Sequence, residues 1–334
     1  MAIETQPERA QGAGGGQPLG GSAPRPWWRR PAIHTAIIGA VIGYVLGHLL
    51  GNWLTGATGA ANQYPNIALS DSEDWPIVLG YVVAIVGWLA GLGVFNDIFR
   101  QMIGRPNGYN GNGQHENGGL AKYFRYSLDH KVVGLQYLVG MIIYFCTAGL
   151  FAMAIRTELL SPVNHVFTSQ VYVEIVGEHG TMMMMLMTSV ILGPFGNYLI
   201  PLMIGAKRVA FPRIEALSFW LTPMAFLILL SGLLLGGFPF GWTGYAPLSI
   251  QSTVGADSYA VAFGLMGVSM VLAGFNIIVT VICYRAPGMR WSRLPAFVWA
   301  MTTTSFLMVL AGPVLVGGMY MLVMDRTAQT AFFV

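Results

Sequence analysis

Long apolar blocks separated by short polar ones dominate this chain. A helix needs about 20 apolar residues to cross the hydrocarbon core of a bilayer. Seven blocks reach that length, near residues 34–54, 76–99, 131–155, 170–204, 217–237, 258–284 and 295–323. The pattern predicts an all-α integral membrane protein with seven transmembrane helices. The fourth block is long enough to project beyond the bilayer or to break at Gly193 and Pro194. No unit recurs at the roughly 20–50-residue spacing of a solenoid, so that architecture is excluded. Residues 1–31, rich in Gly, Pro, Ala and Gln, lack a signal-peptide pattern and are expected to form a disordered cytoplasmic tail. The polar, Gly/Asn-rich stretch 104–127 reads as a cytoplasmic linker. It divides a two-helix membrane extension, 32–103, from five later helices in 128–334.

Composition sharpens this picture. Charged residues make up 9% of the 334 residues and hydrophobic ones 54%, where a soluble domain carries about 25% charged residues. Mean hydropathy is +0.59, so lipid is the expected solvent and nucleic acid binding has no support. The net charge of +3 matters less than its placement, because basic residues beside spans set orientation. Of 17 Lys and Arg residues, seven alternating spans leave only Arg156 and Arg326 on one side, together with the acidic Asp71, Glu73 and Asp74. The N-terminus is therefore expected in the cytoplasm. Cys146 and Cys283 sit inside apolar blocks without a partner motif and read as packing residues.

Among six histidines, only His179 stands well inside a later helix. It lies nine residues from the outer end of the fourth block, roughly 13 Å along the helix axis. An ionisable group at that depth points to function, and two roles suit it: an interhelical hydrogen bond or axial ligation of a haem iron. Gly180 beside it leaves room for a flat macrocycle. The Met182–Met185 run and Met187 offer adaptable apolar surface, or ordinary packing. Glu174 and Glu178, one turn apart, are expected to be solvated or paired with Arg156. Arg156 and Trp242 lie at a similar outer depth and would suit the polar edge of a haem, or else a snorkelling cation and an interfacial aromatic.

Five stretches settle between these options: DHK at 129–131, EHGTMMMML at 178–186, FGNYLIPLMIGAKRVAFPRIEALSFWL at 195–221, GWTGYAPL at 241–248 and MDRTAQTAFF at 324–333. In this order they resemble subunit I of the haem-copper oxygen reductases, the family of cytochrome c oxidases and ubiquinol oxidases. The resemblance covers about 128–334, whose five helices would correspond to the first five of the subunit I core; the two leader helices are an extension expected to pack at the bundle periphery. It implies that His179 is an axial ligand to a low-spin haem of type a or b, that Arg156 bonds the edge of that haem, and that Trp242 lies near its propionates. Tyr137, Asn197 and Asn276 match polar residues along a proton path from the cytoplasmic side, or serve as structural interhelical hydrogen bonds. Arg208 stands where most relatives carry an acid at the mouth of that path, and Glu215, where relatives often have Asn, is a candidate substitute.

In ubiquinol oxidases an Arg and an Asp precede the position of Arg156, and here those places hold Thr147 and Phe151. That favours cytochrome c over quinol as electron donor. The resemblance places the copper ligands, the high-spin haem ligand and the second axial ligand after the DRTAQTAFF stretch. The chain is therefore expected to be part of a longer subunit I, or one of two separate halves, and inactive alone. The implied function is reduction of oxygen to water coupled to proton translocation, in a bacterial plasma membrane, together with oxidase subunits II and III. A ubiquinol oxidase and a non-catalytic scaffold derived from the family are the alternatives.

Overall fold

The computed structural model describes residues 31–58, 71–104, 119–162 and 166–333. The expected N-terminal tail and most of the linker, including His115, lie outside the described residues, as does His165. Among the described residues the secondary structure is entirely helical. The leader comprises α1 (Ile33–Thr58), α2 (Asp71–Gly91) and a short amphipathic α3 (Val94–Met102). The later helices are α4 (His130–Glu158), α5 (Ser169–Thr181), α6 (Thr188–Met203), α7 (Pro212–Gly232), the single turn α8 (Leu248–Gln251), α9 (Gly255–Cys283) and α10 (Ala296–Thr327).

Among the described residues, six helices are long and apolar enough on their own to cross a membrane: those beginning at Ile33, Asp74, His130, Pro212, Gly255 and Ala296. The expected fourth block is divided. It runs as α5, a π-helical segment Met182–Met187, and α6, in unbroken succession. Helix α6 passes through Gly193 and Pro194 without ending there, so the irregularity at Met182–Met187 ends before the expected break. A π segment admits extra residues into the helical ladder, and unbranched Met side chains tolerate the altered packing. Gly193 answers a different need: a Cβ there would overlap the Tyr137 ring, so glycine permits α4 and α6 to approach.

Helices α1 and α2 are joined backbone to backbone. Gly39, Gly43, Gly47 and Gly51 recur every four residues on α1 and face Gly87, Val83, Leu79 and Pro76 on α2, where any added Cβ would strike main-chain atoms. Small residues at such spacing let helices in lipid gain dispersion contacts that no hydrophobic effect supplies. The outer face of α1, with Ile38, Val41, Leu49 and Trp53, stays exposed.

Of the two leader helices α1 lies outermost, touching the core through Ala36, and α2 packs against it more deeply. Tyr81, Ala84 and Trp88 of α2 are buried in the same apolar core as Phe219, Trp220 and Tyr259. Polar ties run the length of α2 and into α3. Trp88 Nε1 donates to the Trp220 carbonyl at 2.9 Å, and Tyr81 donates to Ser231 at 2.6 Å, since the Ser231 proton is given to Ile228 O. Arg213 Nε binds Asp97 at 2.7 Å, and at the other end Asp74 meets Arg326.

Candidate functional site

Helix α5 presents two faces with different chemistry. Glu174, Glu178, Thr181 and Met185 recur at three- and four-residue steps and form its packed stripe. Glu178 is 0% exposed, and neither of its carboxylate oxygens meets a hydrogen-bond partner among the described residues. Glu174 accepts from Gln170 Nε2 at 2.9 Å and packs against Gly237. The expectation that these two acids are solvated or paired with Arg156 is thus corrected. Their spacing puts them on the inward face, while Arg156 is exposed at the far end of α4.

His179 lies one residue round from that stripe, half-buried and turned towards α4. Its Nδ1 is 2.9 Å from the Ala148 carbonyl oxygen. A carbonyl can only accept, so Nδ1 carries a proton, and in the neutral imidazole Nε2 is the nitrogen with the free lone pair. Ala148 is fully buried and small, which lets the imidazole reach the main chain of α4. Gly180 opens onto Trp242: a Cβ at Gly180 would stand 3.5 Å from the Trp242 side chain, an ordinary contact distance. The fold therefore brings Trp242 against Gly180, the residue that follows His179. Arg156 stands eight residues beyond Ala148 on α4, about 12 Å along the axis, and is not drawn into the same cluster.

Trp242 is 41% exposed and sits in a loop held by left-handed glycines at Gly241 and Gly244. The Tyr259 hydroxyl donates to its carbonyl at 2.7 Å. These features fit a haem. One imidazole has its Nδ1–H anchored on a backbone carbonyl, as metal-bound histidines usually do.

A second cluster gathers the other three sequence candidates. Asn197 of α6 and Asn276 of α9 both donate to Glu215, in the first turn of α7: Asn197 Nδ2 to Oε1, and Asn276 Nδ2 to Oε2 at 2.7 Å. Asn276 also accepts from the Phe211 N–H at 2.8 Å, which pins the entry to α7. Glu215 is 0% exposed, and the positive end of the helix dipole favours its position. Tyr137 donates to Ser218 Oγ at 2.6 Å, and Ser218 donates to the Glu215 carbonyl at 3.0 Å. Ser269 donates to Ser218 O at 2.7 Å. A cavity of about 10 Å³ lies above, lined by Tyr137, Asn197, Thr222 and Ser269 among others, near the volume of about 10–15 Å³ that one water needs. Lys207 and Arg208 are exposed.

Sequence reasoning underrated Glu215 and missed Ser218 and Ser269. The signal was the spacing of Glu215, Ser218 and Thr222 along one face of an apolar helix. It also missed the buried Arg326, Asp257 and Asp74, which sequence position alone made look like surface charges.

The family profile described as Cytochrome C and Quinol oxidase polypeptide I matches residues 132–334. The chain is similar to cytochrome c oxidase subunit 1 of Thermostichus vulcanus, with 44% identity over 213 residues, covering 63% of this chain and 39% of that protein. Cytochrome c oxidase subunit 1 of Synechocystis sp. is 40% identical over 212 residues, 63% of this chain and 38% of its own length. A probable cytochrome c oxidase subunit 1-alpha of Streptomyces avermitilis is 38% identical over 203 residues, 59% and 35% respectively. The chain spans less than two fifths of the length of each of these relatives.

Proposed function

Because the chain belongs to the Cytochrome C and Quinol oxidase polypeptide I family, a family of oxidoreductases, we propose that it supplies the electron-entry side of a respiratory oxygen reductase. The reading takes α5, the π segment and α6 as one span, giving seven, with the N-terminus in the cytoplasm of a bacterial cell. Residues 32–103 then form a membrane extension to the oxidase core at 128–334. The copper and the high-spin haem of the complete enzyme belong to the rest of a full-length subunit I, and subunits II and III are its partners.

One observation carries the proposal: the Nδ1 proton of His179 is held by Ala148 O at 2.9 Å, so Nε2 would be the atom that holds a haem iron. A low-spin haem of type a or b held there would accept and pass on single electrons. Trp242, beside Gly180, would border that haem with its indole N–H available as a donor. Arg156 would reach the haem's periphery from α4 through its long side chain.

Tyr137, Asn197 and Asn276 are proposed to line a proton path, with Glu215 at its centre. Both amides are committed to the carboxylate of Glu215, so this cluster fixes the carboxylate beside a cavity that can order a water towards Ser269 and Thr222. Exposed Arg208 stands at the entry and opposes a simple inward funnel for protons.

Cytochrome c is the proposed electron donor. At the places where a quinol site would need charged groups, Thr147 returns its hydroxyl to its own helix at Ile143 O, 2.9 Å away, and Phe151 is apolar. The test is the haem content of the purified assembly by reduced-minus-oxidised spectroscopy. His179→Ala should abolish the low-spin haem band, while Trp242→Phe should keep the haem and shift its band. A parent assembly without haem would overturn the redox reading and leave a non-catalytic scaffold.

A further inference from the structure

Arg326, near the end of α10, is 2% exposed and uses all of its donor directions. Its Nε binds Asp257 Oδ1 at 2.6 Å. Its Nη1 faces the carbonyls of Ile250 at 2.9 Å, Ser252 at 3.2 Å and Ser249 at 3.4 Å. Its Nη2 reaches Thr253 O at 3.1 Å and Asp74 Oδ1 at 3.4 Å. Asp257 belongs to α9, but Asp74 belongs to the leader.

Those carbonyls belong to the return arm of the loop that bears Trp242. Thr253 Oγ1 closes the loop by donating to the carbonyls of Gly236 and Gly237, just before it begins. The Ser249 N–H bonds Tyr245 O at 3.1 Å. From α9, Tyr259 holds the Trp242 carbonyl. Arg326 is therefore the plate on which the 236–253 loop rests.

A planar guanidinium held by one carboxylate at Nε can still swing about that bond. A second carboxylate on Nη2 stops the swing and keeps the two Nη groups in register with four carbonyls. We propose that Asp74 of the leader is a positioning residue for the Trp242 loop, acting through Arg326. The leader thereby helps to shape the proposed haem face without touching it. That last step rests on the haem reading, whereas the effect of Asp74 on the loop does not.

Hydrogen–deuterium exchange on the full chain in nanodiscs tests the two parts separately. Asp74→Asn keeps the shape and removes the charge. It should raise exchange of backbone amides in 241–253 several-fold, and Asp74→Glu should restore most of the protection. Asp97→Asn, which breaks a second ion pair of the leader, at Arg213, should leave the loop at parental rates. Unchanged 241–253 exchange in Asp74→Asn, equal loosening by Asp97→Asn, or an Asp74→Asn chain that no longer folds while Asp74→Glu exchanges as it does would each overturn the proposal. In the haem-loaded assembly, a loosened loop with an unmoved low-spin haem band would overturn the placement of Trp242 at the haem and leave the positioning role of Asp74 standing.

Discussion

Glu215 has no solvent to fall back on, and its two oxygens are the destinations of two buried amides on different helices. Replacing it with Leu would strand both donors, at a cost of about 1–3 kcal/mol for each unsatisfied group. Glu215→Leu should therefore lower unfolding stability in micelles by about 2–6 kcal/mol, and Glu215→Gln, which keeps one acceptor, by about half of that. A Leu variant that unfolds with the parent would show that the cluster contributes nothing. At this scale the sequence was uneven as a guide. His179 could be picked out because an imidazole deep in an apolar helix is rare. Glu174, Glu178, Asp74 and Arg326 could not be placed, because a charged residue near a span end looks the same whether it faces water or the bundle. Only the packing of neighbouring helices separates the two.

At the scale of elements, six of the seven expected spans were legible, because bilayer thickness sets a length that the apolar blocks must meet. The irregularity in the fourth block was not. Gly193 and Pro194 look like a break, yet Gly193 is there for the Tyr137 ring and the ladder loosens instead at Met182–Met187. Nor did the apolar pattern show how α1 and α2 meet. Their four-residue glycine repeat stood in the sequence, but its meaning depends on a partner helix with matching small residues. Gly87→Leu should force the two helices apart, since the added side chain meets the Gly39 carbonyl and backbone cannot step aside. The expected loss is about 1–3 kcal/mol. Limited proteolysis should cut between α1 and α2 faster than in the parent, and unchanged cleavage would count against the close seam.

For the whole molecule, the distribution of basic residues and the family resemblance together made the membrane class and the oxidase family readable. The integration of the leader was not readable, because its ties to the core are single residues, Asp74, Tyr81, Trp88 and Asp97, scattered through apolar sequence. Orientation can be tested with the two native cysteines, both free and exposed. Cys283 ends α9 on the proposed cytoplasmic side, whereas Cys146 lies mid-way along α4. A membrane-impermeant maleimide should label Cys283 in inside-out vesicles, leave it unlabelled in right-side-out ones, and spare Cys146 in both. The reverse pattern at Cys283 would invert the topology. The seam between α1 and α2 also has a consequence for how this protein can change. In α1 the bulky residues look outward and the glycines look inward, so the usual rule of conserved bulk and variable smallness is turned inside out. In a saturation mutagenesis library, Ile38, Val41 and Leu49 should accept any lipid-compatible side chain, while Gly39, Gly43 and Gly47 should accept almost nothing.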